Sequence, residues 1–262
     1  FVVVIAVFLL SAIGIRADEP EIRIVPYDPL TMSCPISPEQ ATASVRAWLG
    51  DSQLQLTLTG VEQEEGWTEY DEYVLESSAH RFKVRCSDGH VRSYRDRQAV
   101  TSWTQAVNSG LTPSLSKAEM EQVATAFAAT HYPGYGSRSM RLIEMDEGTA
   151  TFAEELPGGA LFSGNICKVS VCEFTGRVKE YLAHRADQIT VSTIPGVTSG
   201  QAEAAALEFL LGGPGVQSAI TVGPSVLWLI PDDLGAQRLL WSVEAATGPD
   251  PNMTYALWQT DE

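Results

Sequence analysis

Apolar residues recur along the chain with two periods, and the period changes at regular places. Three segments carry apolar positions at helical spacing: Val45, Trp48 and Leu49; Val123, Ala126 and Phe127; Ala205, Leu207 and Leu210. Such stripes predict short amphipathic helices with one face on a core. The same chemistry precedes each stripe: Ser37 with Gln40, Ser116 with Glu119, Thr198 with Gln201. A Ser or Thr three residues before Glu or Gln predicts a capping box, in which each side chain satisfies a helix N–H that lacks a partner. Ile36, Leu115 and Val197 stand just before the caps as candidate hydrophobic staples. Gly50 and Gly212 are expected to stop the first and third helices, and His131-Tyr132-Pro133-Gly134 the second. The caps lie 79 residues apart (37 to 116) and then 82 (116 to 198), a spacing that predicts a repeated supersecondary unit.

After each helix the period falls to two, the spacing of a half-buried strand. Leu54, Leu56 and Leu58, then residues 67–75 and 82–86, predict strands, and Ser87-Asp88-Gly89 turns the last of them into 90–94. The second copy offers 140–145, 149–156 and 166–172, with Phe174-Thr175-Gly176 turning into 177–181. The third offers 226–230, 239–243 and 253–258. Both complete copies end in G-x-V-x-x-Y: Gly89, Val91 and Tyr94, then Gly176, Val178 and Tyr181. Glycine accepts the positive φ that a tight hairpin turn requires. The predicted class is α+β, with units at 34–97, 114–185 and 196–262, each one helix packed on an antiparallel β-meander. Residues 97–113 and 186–196 read as connectors, the first packed down by Val100, Trp103 and Val107. The third copy reaches Glu262 where its turn glycine is due, so its last strand is expected beyond the sequence.

A capped, alanine-rich helix followed by strands and a V-x-V-x-x-x-x-G-x-V run resembles the PepSY-type domain, including its repeated YcdB/YcdC form. Val169, Val171, Gly176 and Val178 carry the resemblance in the second copy, and Val84, Gly89 and Val91 in the first. In the third, Leu227-Trp228-Leu229-Ile230-Pro231 and the run from Arg238 through Trp241 to Val243 resemble the family's central strands. The first copy lacks the R-L-x-W-x-V element and has a longer acidic segment, 62–76. The resemblance implies an extracytoplasmic, non-catalytic module. Relatives of this type occur in propeptides of secreted thermolysin-type metallopeptidases and in cell-envelope proteins, so the implied partner is a protein, a peptidase or an envelope component. No catalytic residue and no cofactor comes with it.

Charge and composition narrow the partner further. The 262 residues include 33 Asp plus Glu against 17 Lys plus Arg, a net charge of −16. That acidity disfavours a nucleic-acid partner, and the one dense basic stretch, 81–97, is broken by Asp88 and Asp96. Residues 1–15 are apolar apart from Ser11 and then meet Arg16-Ala17-Asp18-Glu19-Pro20. This run suits a signal-peptide core and falls short of the roughly 20 residues that span a bilayer. Residues 1–17 are therefore expected to be a signal peptide lacking its start, and the mature protein to be secreted or extracytoplasmic. An uncleaved leader is the one route to a membrane. In an oxidising compartment Cys34, Cys86, Cys167 and Cys172 permit two disulfides in three pairings. Cys34–Cys86 with Cys167–Cys172 is the favoured pairing, four buried free thiols the alternative, and no C-x-x-C or H-x-x-x-H spacing supports zinc.

Catalytic motifs are missing from the sequence: it contains no H-E-x-x-H, G-x-S-x-G, G-x-x-x-x-G-K or G-x-G-x-x-G. The acidic pairs Glu64-Glu65, Glu154-Glu155 and Asp232-Asp233 read as solvated turn charges, and Gly134-Tyr135-Gly136-Ser137 as a loop after a helix. No metal or cofactor site is assigned. Trp48, Trp228 and Trp241 fall on apolar stripes and are assigned to the core, which leaves Trp67 as the best exposed candidate for a binding platform. The expected function is a non-catalytic binding or regulatory protein that takes an extended partner segment on an open sheet edge. The alternative is a propeptide or accessory region of a larger secreted enzyme with its catalytic domain beyond residue 262.

Overall fold

The structure, a computed structural model, describes residues 22–28, 34–64, 67–186, 188–212, 220–231, 237–247 and 254–260. The expected signal peptide, the Asp232-Asp233 pair and the chain end at 261–262 lie outside the described residues. Among the described residues four helices accompany one sheet: α1 (Pro38–Leu49), α2 (Arg97–Asn108), α3 (Lys117–His131) and α4 (Ser199–Gly212). All three capping boxes form. The Ser37 N–H donates to Gln40 Oε1 at 2.7 Å and the Gln40 N–H to Ser37 Oγ at 3.3 Å. Ser116 and Glu119 exchange the same bonds at 2.7 and 3.3 Å, Thr198 and Gln201 at 2.9 and 3.4 Å. Gly50 closes α1 in the left-handed region at φ 73°.

The helix residues that reach the sheet are mostly alanines: Ala41, Ala124, Ala128, Ala202 and Ala206 are buried together with Val45. A methyl group lets a helix sit close to a sheet, so the bulky Trp48, Leu49, Val123 and Phe127 flank the contact half-buried. The buried stripe is thus rotated from the predicted one. Ala126 is exposed, and on α4 Ala205 and Leu207 are only half-buried.

Each of α1, α3 and α4 precedes an antiparallel meander, and a further strand, β1 (Ile22–Val25), lies before α1. After α1 come β2 (Thr57–Glu64), β3 (Trp67–Glu76), β4 (His80–Arg85) and β5 (Val91–Asp96). After α3 come β6 (Met140–Asp146), β7 (Thr149–Glu155), β8 (Leu161–Val171) and β9 (Val178–Arg185). After α4 come β10 (Ile220–Pro231), β11 (Gln237–Thr247) and β12 (Thr254–Thr260). The α+β class is therefore as expected, with three differences of detail, of which the unpredicted β1 is one. The strand predicted around Leu54 starts later, because Leu54 sits in a turn, its N–H bonded to Asp51 O and its carbonyl to Arg46 Nε. The connector after β5 is a helix, α2, whose first N–H groups at Gln98 and Ala99 are capped by Asp96 Oδ1 at 2.9 Å each.

The strands form one sheet in the order β1-β2-β3-β4-β5-β9-β8-β10-β11-β12, with β6 and β7 attached to β8 through β7. Nearly all pairs are antiparallel; β8 and β10 pair in parallel through Trp228↔Leu161 and Leu229↔Phe162. One large core, which includes Val45, Tyr73, Phe82, Tyr94, Phe152, Val169 and Tyr181, runs under α1 and α3 alike. A smaller one of Leu156, Ala160, Phe162, Leu227, Leu229 and Leu239 joins the α4 meander to the end of β7 and start of β8.

Candidate functional site

The two G-x-V-x-x-Y motifs meet at the middle of the sheet. β5 and β9 pair antiparallel with Ser93↔Leu182, Tyr94↔Tyr181 and Arg95↔Glu180, so a local two-fold axis passes between the two motif tyrosines. Gly89 and Gly176 adopt φ values of 77° and 71°, and each packs on the staple residue of its own helix, Ile36 and Leu115. Val91 is buried and Val178 half-buried as each strand begins. Above the tyrosines the helices contribute Trp48 and Phe127, both eleven residues past their caps, with ring centroids 5.7 Å apart. Trp48 lies 5.5 Å from Tyr94 and 5.4 Å from Tyr181, and its indole N–H donates to the His131 carbonyl at 3.2 Å. The His131 ring lies tilted at 4.2 Å from both Trp48 and Phe127, and burial there lowers its pKa. This cluster packs side chains of both units against one another and so locks two meanders together.

The opposite face of β4 and its neighbours is charged, because alternate residues point away from the core. Phe82 and Val84 face inward, while Arg81, Lys83 and Arg85 engage carboxylates. Lys83 pairs with Glu62, Arg92 with Glu72 at 3.0 Å, Arg95 with Glu180 at 3.1 Å, and Arg85 and His90 with Asp88. Burial raises the Glu72 pKa against the pull of Arg92 and Lys83. Burial acts on Asp88 in the same sense, but hydrogen bonds from His90 and Arg85 outweigh it and hold that carboxyl below the usual range. Crowding away from water and then the Arg92, Lys168 and Arg85 charges pull His184 down to about 4, although one side of the residue stays open to solvent. A raised-pKa carboxyl is a feature of general acids. Glu72, however, is only 8% exposed and already held by arginine.

Open space lies elsewhere. A groove of about 810 Å³ separates β6 from the start of α4 and from β10 and β11. One wall is β6 itself, through Arg141, Leu142, Ile143 and Glu144; the other carries Ser199 and Glu203 of α4 with Trp228 and Trp241. Among the described residues β6 pairs only with β7, so its second row of backbone N–H and C=O groups has no strand partner there and is open for pairing. A register shift between Leu142 and Glu144 bulges the strand at Ile143, and Arg141 and Glu144 are exposed beside it. Glu203 accepts from Ser225 Oγ at 2.6 Å, which holds α4 against β10. Trp241 donates its indole N–H to the Val197 carbonyl at 2.8 Å, a bond that seats the connector ahead of the Thr198 cap. Trp228 and Trp241, expected in the core, thus stand half-buried in the wall of the groove. The sequence signals for it were the separate strand periodicities of β6 and β10, which carry no information on their distance.

The remaining predicted residues separate. The Cys34 and Cys86 sulfurs lie 2.6 Å apart as free thiols. The expected Cys167–Cys172 pairing is corrected: Cys167 is in β8 and Cys172 directly follows its end. Five residues of extended chain separate them by about 16 Å, whereas a disulfide needs Cα atoms within about 7 Å. Glu154 is not a solvated turn charge either; it pairs with Arg138 at 2.6 Å and accepts from Asn165, while Glu155 points outward to Arg141 at 3.5 Å. The side chains of Trp67, Glu64 and Glu65 lie outside the described residues. Trp103, on the unpredicted α2, covers the Lys179 ammonium at 4.2 Å and donates to Glu173 at 2.9 Å. Among the described residues no three His, Cys, Asp or Glu side chains converge to hold a metal, and no helix is long and apolar enough to cross a membrane.

Comparison with known proteins yields a likeness of fold. The Bacillus megaterium YpeB C-terminal domain superimposes with a TM-score of 0.50 at 15% identity, over 87% of this chain and 99% of that one. No family model and no curated protein matches the chain.

Proposed function

We propose that this chain is a non-catalytic, extracytoplasmic binding and regulatory protein of PepSY-like type, with units at 34–97, 114–185 and 196–262. It holds an extended segment of a protein partner, a peptidase or another cell-envelope component, by strand addition to β6. The observation that carries this reading is the open edge of β6 facing the groove beside α4, β10 and β11. Strand addition draws affinity from main-chain hydrogen bonds and specificity from side chains at alternate positions. Here Arg141 and Glu144 flank the bulge and restrict pairing to a short segment of complementary charge, while Trp228 and Trp241 supply apolar surface on the far wall. The likeness of fold to the YpeB domain supports the PepSY-like part of the reading.

The test is capture and inhibition of a panel of secreted metallopeptidases by the purified protein, compared with the charge-reversed double variant Arg141→Glu, Glu144→Lys. Both side chains are exposed, so the variant keeps the fold. Binding or inhibition by the native protein that the variant loses at least tenfold supports strand addition at β6. Absence of any capture from the panel and from an envelope fraction, or equal binding by both proteins, refutes it.

A further inference from the structure

We infer that Cys34 and Cys86 form a disulfide in an oxidising compartment, and that this bond fastens the entry of α1 to the turn between β4 and β5. The two sulfurs stand 2.6 Å apart, closer than non-bonded sulfurs pack, with Cys86 buried and Cys34 half-buried.

The second helix shows what the bond replaces. Counting back from the caps and turn glycines, Pro35 corresponds to Ser114 and Cys86 to Glu173. Before α3, the Ser114 and Leu115 N–H groups both donate to the Glu173 carbonyl at 3.0 Å. The Ser114 hydroxyl lies 3.2 Å from that carbonyl and 2.9 Å from the Phe174 carbonyl. Before α1, the Ile36 N–H donates to the Cys86 carbonyl at 3.2 Å, but Pro35 has neither an N–H nor a hydroxyl to donate. The thiol pair occupies the junction where those bonds are missing. The same helix entry is tied to the same turn by hydrogen bonds alone in one unit, and by one hydrogen bond together with the sulfur pair in the other. The bond also anchors the segment that carries β1, which pairs with β2 through Ile22↔Glu64 to Val25↔Val61.

Closure balances with a disulfide-bearing oxidant, RSSR. The Cys34 thiolate attacks RSSR and releases RS⁻; Cys86 then attacks the Cys34 sulfur of the mixed disulfide and releases the second RS⁻. Two protons and two electrons leave the protein, and RSSR becomes two RSH. Burial and then the contact with Cys34 raise the Cys86 pKa, which leaves the more open Cys34 as the first to react. Cys167 is fully buried in the main core and takes no part.

The inference is independent of strand addition at β6, and the experiment reads thiols alone. The protein is equilibrated with glutathione disulfide, quenched in acid, unfolded, labelled with N-ethylmaleimide and weighed by mass spectrometry. Two labels are expected against four after reduction with dithiothreitol, and a digest should yield one cross-linked peptide joining Cys34 to Cys86. Cys34→Ser should abolish the cross-link, and Cys167→Ser should leave it intact. Four labels on the oxidised native protein, or a cross-link that includes Cys167 or Cys172, overturns the inference.

Discussion

Trp48 is the side chain through which α1 and α3 hold one another, and its removal measures that coupling. Its ring contacts Phe82 at 6.2 Å and Tyr94 at 5.5 Å on its own meander, and Phe127, His131 and Tyr181 at 5.7, 4.2 and 5.4 Å across the seam. Truncating a buried Trp to Ala costs roughly 3–5 kcal/mol. Trp48 is half-buried, so Trp48→Ala is expected near the lower end, about 3 kcal/mol. Roughly 1 kcal/mol of that belongs to the hydrogen bond to the His131 carbonyl, the portion Trp48→Phe should lose by itself. With a urea slope of about 3 kcal/mol per M for a chain of this size, the unfolding midpoint falls by about 1 M for Ala and about 0.3 M for Phe. Circular dichroism and tryptophan fluorescence should report the same shift, since the shared core unfolds as one. A double-mutant cycle with Phe127→Ala, the partner across the local two-fold, should show coupling of about 0.5–1.5 kcal/mol. A midpoint change below about 0.3 M for Trp48→Ala, or strict additivity with Phe127→Ala, would refute the claim that this cluster joins the two meanders.

Three further outcomes follow from local geometry. Ser116→Ala removes one half of a reciprocal cap and should cost about 1 kcal/mol in urea unfolding; no measurable loss would show that the N–H groups find water equally well. Gly176→Ala should cost about 1–2 kcal/mol for its left-handed backbone, since its added Cβ meets Leu115 at an ordinary 3.4 Å. Gly89→Ala should cost more, because there the Cβ stands 3.1 Å from Ser44 Oγ and 3.3 Å from Ile36; a smaller loss at Gly89 contradicts this packing. Acid should expose His184. Its folded pKa of about 4 lies below the ordinary 6.5, so the unfolded chain takes up the proton first. The contribution is fully present above pH 6.5 and is lost as pH falls toward 4. His184→Gln should flatten the stability–pH curve in that window, and an unchanged slope would count against the assignment.

Features written in a few adjacent residues were the legible ones. Ser37, Ser116 and Thr198 announce their helices because a cap is settled within four residues, and Gly89 and Gly176 announce their turns because only glycine takes that φ without strain. The α2 helix is not legible in the sequence although Asp96 caps it, since the segment after it carries mixed polar residues and short apolar ones. Leu54 and Leu56 alternate like a strand but pack on the core from a turn. Two-fold spacing marks alternate burial, and a loop laid on a core satisfies that equally well.

The sequence by itself determined the helix–meander succession, its caps, its turns and the absence of catalytic motifs, because these depend on neighbours along the chain. Only the tertiary structure decided that Tyr94 pairs with Tyr181, that Trp228 and Trp241 wall a groove beside the open edge of β6, and that Cys34 meets Cys86 while Cys167 and Cys172 stay apart. The physical reason is one of range. Hydrogen bonds within a turn or cap are set by local backbone geometry, whereas strand order and helix approach follow from how several apolar faces share one core. Small residues such as Ala124 and Ala128 control that approach, and nothing beside them in the chain records which surface they will touch.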